Sequence, residues 1–250
     1  MQTGNTKKKC RLDRLVVERG LAPSRDRAQA LILAGKVLVA GEPVTKAGAL
    51  VSPQAPLTLQ APDIPYVSRG GLKLAAALEH FQISVASKVV LDVGASTGGF
   101  TDCLLQQGAL RVYAVDVGYG QLAWSLRQDA RVILLERTNI RYLPPEAIAE
   151  PIDLATIDVS FISLKLVLPR VKEFVRPGGE IIALVKPQFE VGRQQVGKGG
   201  VVRDQGLQLQ VVENLKVLAA SLALEVIGHL PSPILGPKGN QEYLLYLRRY

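Results

Sequence analysis

Residues 89–105 read VVLDVGASTGGFTDCLL. Five residues, apolar but for Asp92, form a strand pattern; a glycine-rich turn follows, and then a short helical pattern. This is a strand–loop–helix unit, the opening move of an open α/β sheet. Gly94, Gly98 and Gly99 allow the backbone to turn tightly and to approach a ligand closely. A dinucleotide fingerprint requires G-x-G-x-x-G with a pyrophosphate at the helix N-terminus. The order D-V-G-A-S-T-G-G breaks that spacing, and Asp92 stands where a pyrophosphate is repelled. A ligand carrying an ammonium and a sulfonium suits the acid, so the loop is read as an S-adenosylmethionine site. Asp92, Gly94, Ala95, Ser96, Thr97, Gly98 and Gly99 are its candidate residues.

Downstream the pattern repeats. VYAVDVG ends in Asp116, 24 residues beyond Asp92. A carboxylate at the end of the neighbouring strand can accept both ribose hydroxyls, with Val117 beside it. Asn139, in LERTNIR, follows the third strand on the adenine side. Further strands are read in IDLATIDVSFI, PGGEIIALVKP, LEVIGHLPSPI and QEYLLYLRR. Helices are read in QLAWSLRQD, LVLPRVKEFV and LQLQVVENLKVLAASLA. Alternating helices and near-continuous apolar strands predict a Rossmann-like, doubly wound parallel α/β sheet, with ligands at the strand carboxyl ends. At 250 residues, with 48% hydrophobic, the chain can bury a large domain and a small one.

The small one lies upstream. Residues 1–62 hold ten lysines and arginines against four acids, an excess of six, and the other 188 residues share the remaining two positive charges. A charge run is commonly a solvated face, yet an excess confined to a quarter of the chain favours a polyanion. RLDRLVVERGL and RDRAQALILAG read as two helices, the second capped by Ser24 and stopped by Gly35. KVLVAGEPV is a strand, a turn and a second strand start. A proline-rich linker follows, giving domain bounds of 8–61, 62–68 and 69–250. The two cysteines, Cys10 and Cys103, imply neither a disulfide framework nor a zinc site. The start of the chain carries no signal-peptide pattern and no stretch has membrane-spanning length, so a cytoplasmic location is expected.

Four polar residues fall where the sheet should open: Lys73 in SRGGLKL, Asp158 after ATI, Lys186 after IIALV and Glu242 in GNQEY. Each has a bland reading as a helix-surface or turn residue.

The stretch SRDRAQALILAGKVLVAGEPV resembles the alpha-L (S-four-type) RNA-binding module over about fifty residues. SRGGLKL, LDVGASTGGFT, VDVGYGQLAWSLR, LERTNIR, IDVSFISL, LVKPQFEVG and GNQEY resemble the TlyA (haemolysin A) family, bacterial ribosomal-RNA 2'-O-methyltransferases. These join such a module to a heat-shock (FtsJ-like) methyltransferase domain, and the resemblance runs over roughly 8–248. It implies a Lys-Asp-Lys-Glu catalytic tetrad at Lys73, Asp158, Lys186 and Glu242, a cofactor site in the Asp92–Phe100 loop and at Asp116, and methyl transfer to a cytidine ribose. It implies ribosomal RNA or ribosomal subunits as partner, with no membrane and no metal. RNA contacts are expected from Lys7, Lys8, Lys9, Arg14, Arg25, Arg27 and Arg69.

The chemistry is consistent with the resemblance. A ribose hydroxyl must lose its proton as it attacks. A lysine amine, protonated in water up to a pH of about 10.4, becomes a base when buried or set beside another cation. Either lysine can take that part, with the acids orienting them. The basic segment 188–204 is either a lid over RNA or a surface connection. A target inside a helix must be splayed out, and Phe161 or Phe189 can stack on its base. Members of the TlyA family that modify both subunits tend to carry longer termini, and since this chain stops directly after its last strand the resemblance leans towards 23S rather than both rRNAs. The rival readings are an amino-methyltransferase, which would carry Asx-Pro-Pro-aromatic where Asp158-Val-Ser-Phe161 stands, a pore-forming haemolysin, and a non-catalytic assembly factor.

Overall fold

The computed structural model describes residues 9–33, 35–60 and 64–250, so the candidates Lys7 and Lys8 lie outside the described residues. The chain divides into two compact units, 1–64 and 65–250.

In the first unit β1 (Cys10–Arg11) leads into α1 (Leu12–Glu18), then α2 (Arg25–Leu33), β2 (Val37–Val39), β3 (Glu42–Pro43), β4 (Leu50–Val51) and β5 (Leu57–Leu59). β3, β2 and β5 form one antiparallel sheet, and β1 pairs with β4 in another. The Ser24 hydroxyl accepts from Arg27 N at 3.2 Å, the expected cap of α2. Leu12, Val16, Ala28, Leu31, Ile32 and Val37 form the core. The β1–β4 pair was not foreseen, because a lysine-rich stretch carries no strand pattern and two residues are too few to show a period.

Charge is held inside this unit. Asp13 is buried and accepts from Arg11 Nε (3.0 Å), Arg25 Nε (2.9 Å) and Gln29 Nε2 (3.0 Å). The Arg11 guanidinium keeps the carboxyl well below the usual carboxylate range, against the opposing effect of burial. Arg25, expected on RNA, is therefore engaged in the fold. Arg14 is exposed with Glu18 at 4.0 Å, Lys9 is exposed, and Arg27 is half-buried. A carboxyl with a depressed folded-state value adds stability above its unfolded value of about 3.9 and loses it as pH falls. The protection of α1 amides from exchange, taken relative to the intrinsic rate at each pH, should thus fall below about pH 4. Asp13→Asn should exchange faster at pH 7 and respond little to acid.

The second unit begins with α3 (Gly70–His80). There follow β6 (Val89–Val93), α4 (Gly99–Gln106), β7 (Arg111–Val115), α5 (Trp124–Arg127), β8 (Val132–Leu135), β9 (Ile152–Ile157), α6 (Leu164–Phe174), β10 (Val175–Val185), α7 (Pro187–Glu190), α8 (Gln205–Ser221), β11 (Leu224–Pro231) and β12 (Tyr243–Arg249). The strand order is β11-β12-β10-β9-β6-β7-β8. β8, β7, β6, β9 and β10 are mutually parallel, and the order reverses between β6 and β9, the place for a ligand crevice. One expectation is corrected: β12 is antiparallel to both β10 and β11. Residues 232–242 contain no α-helix and are too few for the crossover of roughly a dozen or more residues that returns a strand in the parallel sense.

The sheet is buried on both faces. Leu91, Val93, Ile157, Ile181 and Val185 pack with α6 and α8 on one face. Val90, Leu154, Ile182, Leu184 and Leu244 pack with α3 and α4 on the other. The QLAWSLRQD helix shrinks to the single turn of α5, with Trp124 exposed.

Candidate active site

Strand periodicity decides which polar groups can meet. Side chains two apart share a face. Val90 and Leu154 face α3 and α4, so Asp92, Thr156 and Asp158 lie on that side; Leu184 and Leu244 place Lys186 and Glu242 there too. On α3, Lys73 stands one turn before the fully buried Ala77, on the helix face turned to the sheet.

The four tetrad candidates form two ion pairs. Lys73 Nζ donates to Glu242 Oε2 at 2.5 Å. Lys186 Nζ lies 2.6 Å from Asp158 Oδ1, an ion contact without the angle of a hydrogen bond, and donates to Ser160 Oγ at 2.9 Å. Both lysines are 7% exposed, and Glu242 is fully buried. Gly236 makes room for Glu242, since a Cβ there would stand 2.2 Å from Oε1. A cleft of about 600 Å³ is lined by Lys73, Asp158, Lys186, Gly94, Ser96 and Arg69 among others. Arg69 also donates to the Leu235 carbonyl at 3.1 Å.

A second cleft, of about 450 Å³, shares Gly94, Ser96, Asp158 and Ser160 with the first. Its far end is apolar, with Ile140, Val159, Ile162 and Val167, and its rim holds Asp116, Val117 and Asn139. Asp116 accepts from Ser96 N and Gly118 N, both at 2.7 Å, and each carboxylate oxygen keeps a further lone pair. A polar carboxylate beside an apolar slot suits the ribose and adenine of a nucleoside. Asn139 lines this cleft while its side chain caps the turn at 140–142, accepting from Arg141 N at 3.1 Å. Gly94 has φ +87°, and a Cβ there would meet the Asp158 carbonyl at 2.5 Å, so only glycine lets the loop lie against the end of β9.

Asp92 and Gly98 are placed differently from the other loop candidates. Asp92 is fully buried beneath the loop and borders none of these clefts. It accepts from the Thr101 hydroxyl (2.6 Å) and the Thr156 hydroxyl (3.0 Å). The reading of Asp92 as direct partner of a cationic ligand gives way to one in which it braces the loop from below. Gly98 faces Leu122 and Leu126 rather than the clefts. Burial pushes the Asp92 carboxyl up to about 6, against the two threonine hydroxyls that lower it. A raised folded-state value favours the protonated form, so its contribution is fully present below the unfolded value and is lost as pH rises through 6. Urea midpoints of the ligand-free protein should decline between pH 4 and 7, and Asp92→Asn should remove most of that slope.

Three residues here were not read from the sequence. Ser160 holds Lys186. Glu190 accepts from the Ser163 hydroxyl (2.5 Å) and Leu164 N (2.7 Å), tying the segment after Lys186 to the segment after Asp158. Gln188 lines a third cavity, of about 330 Å³, with Phe161, Phe189, Lys186 and Glu242. The only available signal was their position just past apolar strand ends. Phe161 is 91% exposed at φ +63°, a rare conformation for a bulky side chain, and its ring lies 5.1 Å from that of Phe189.

Comparison with known proteins places these features in a family. Residues 66–249 match the model for FtsJ-like methyltransferases, and residues 10–56 match the S4 domain. A Mycobacterium tuberculosis protein named 16S/23S rRNA (cytidine-2'-O)-methyltransferase TlyA is 51% identical over 242 residues, covering 96% of this chain and 90% of its own. Hemolysin A of Brachyspira hyodysenteriae is 41% identical over 237 residues, covering 94% and 98%. A solved chain from Streptococcus thermophilus is 44% identical with a TM-score of 0.75, covering 98% of this chain and 90% of its own.

Proposed function

We infer the reaction from one premise: this chain belongs to the FtsJ-like methyltransferase family, with an S4 domain ahead of that fold. It transfers a methyl group from S-adenosylmethionine to the 2'-hydroxyl of a cytidine in ribosomal RNA. The observation that carries this is the pairing of Lys73 with Glu242 and Lys186 with Asp158 around clefts that share the glycine loop.

When bound, S-adenosylmethionine supplies a methyl that a ribose oxygen displaces from sulfur, leaving a neutral thioether. Asp116 would hold the nucleoside hydroxyls, and the slot of Ile140, Ile162 and Val167 would take the adenine. Lys186 stands where the cofactor cleft meets the 330 Å³ cavity; once its ammonium has passed a proton to Asp158 or to water, the neutral amine takes the proton from the attacking hydroxyl. Asp158 and Ser160 fix its amine. Lys73, set by Glu242, orients the ribose by donating to its oxygens. Phe161 and Phe189 stack on the splayed base. The S4 domain supplies contacts to phosphate, with Lys9, Arg14 and Arg27 as its candidates, and rRNA as substrate places the protein in the cytoplasm.

An amino-methyltransferase reading meets no Asx-Pro-Pro after β9, and it leaves both lysine pairs without work. Among the described residues no helix is long and apolar enough to cross a membrane. Labelled cofactor with naked rRNA and isolated subunits, followed by mapping of alkali-resistant linkages, tests the proposal. A ribose methyl in either subunit supports it, and a methyl on a base nitrogen or carbon overturns it.

A further inference from the structure

We propose that Gln188 selects the target base, its side-chain amide hydrogen-bonding the Watson–Crick edge of a cytosine held in the 330 Å³ cavity. This rests on the ribose-methylation reading above. The cavity adjoins Lys186, where a 2'-oxygen would sit, and the base hangs from the neighbouring sugar carbon. Its walls sort by chemistry. Phe161 and Phe189 give flat apolar faces. The Asn240 amide is committed, accepting from Val202 N at 3.1 Å and donating to the Gly200 carbonyl at 3.0 Å.

Gln188 Oε1, by contrast, is closed off and meets no donor among the described residues, and rotation of the side chain turns it into the cavity that Gln188 lines. The other buried side-chain oxygens in that condition are Asp158 Oδ1, which touches Lys186, and Glu242 Oε1, whose partner oxygen holds Lys73. A buried acceptor without a donor is costly, and a ligand that brings the donor recovers that cost.

The segment that carries the amide is anchored. Gln188 lies in α7, which Pro187 opens and whose last residue, Glu190, is anchored to Ser163 and Leu164. An amide oxygen beside an amide NH2 complements the exocyclic amino group and N3 of cytosine. Uracil carries a carbonyl where that amino group stands.

The test uses the full chain and rRNA transcripts whose mapped target nucleotide is either cytidine or pyrimidin-2-one ribonucleoside, which lacks only the amino group. Wild type should lose about tenfold or more in kcat/KM on the analogue, the effect of leaving one buried acceptor unpaired. Gln188→Ala should fall to a similar level on cytidine and treat the two transcripts alike. Gln188→Glu, which keeps the acceptor, should still respond to the amino group. Binding of S-adenosylhomocysteine should be unchanged in each variant. Gln188→Met replaces the alanine variant if that binding is lost. A Gln188→Ala enzyme that still discriminates tenfold, or a wild type that does not discriminate, overturns the role of Gln188 alone. Absence of any ribose methyl on the cytidine transcript rejects the underlying reaction.

Discussion

Replacing Lys186 with alanine should lower methyl transfer to RNA by about 10²–10⁴-fold, the usual contribution of a positioned proton acceptor. The amine ends an apolar strand, is locked on its far side by Pro187, and is fixed between Asp158 and Ser160. At the junction of the clefts Lys73 is paired with fully buried Glu242, and Ser160 has no base behind it but Lys186 itself, whereas Lys186 is paired with the partly exposed Asp158 and borders the third cavity as well. S-adenosylhomocysteine affinity should stay within a few-fold, because the loop at 94–99 and Asp116 are untouched. Removing the lysine leaves Asp158 with a partly exposed side chain, so folding should survive. Lys186→Arg should be nearly as inactive, since a guanidinium keeps its proton and does not fit the amine's place. Single-turnover rates with saturating cofactor measure the effect, and turnover within tenfold of wild type would remove Lys186 from the chemistry.

Glu242→Ala should damage both stability and activity. It deletes the acid from a buried pair and leaves the Lys73 ammonium, 9% exposed at its side chain, with no opposite charge at hand. Breaking such a pair from one side costs about 3–5 kcal/mol. Removing both partners for apolar groups of similar volume is often nearly neutral. The double variant Lys73→Met/Glu242→Leu should therefore recover most of the lost denaturation midpoint while remaining inactive. Recovery of activity in the double variant would make the pair merely structural. A loss of under about 1 kcal/mol in the single variant would show that water reaches the ammonium.

The parts of this molecule that follow a local period were legible in the sequence. The strand at 89–93, the glycine loop after it and the helix of α4 could be read because periods of two and 3.6 flank an unmistakable break. The four polar residues of the proposed tetrad could be picked out because each ends or opens an apolar run, and the family resemblance is what joins them into one set. What could not be read depends on long-range partners. The direction of β12 is set by the length and path of its connection, to which an apolar pattern is indifferent. Asp92 looked available to a ligand, yet the threonines that enclose it come from α4 and β9. In the sequence Arg25 reads as an RNA contact and Asp13 only as one of the acids, and it is the packing of α1 against α2 that brings them together. Ser160 lies in an irregular segment, and Gln188 and Glu190 lie in a single helical turn too short to show a period.

Strand β12 carries a temporal consequence. Proteins are made from the N-terminus, and this strand, with Glu242 at its entrance, emerges after every other part of the sheet. Until it slides between β10 and β11, a growing polypeptide has a nearly complete nucleoside cleft but a solitary Lys73 ammonium in an apolar wall. On the reading proposed above, a chain still without β12 would lack the carboxylate that sets Lys73, and methyl transfer would have to wait for the last strand.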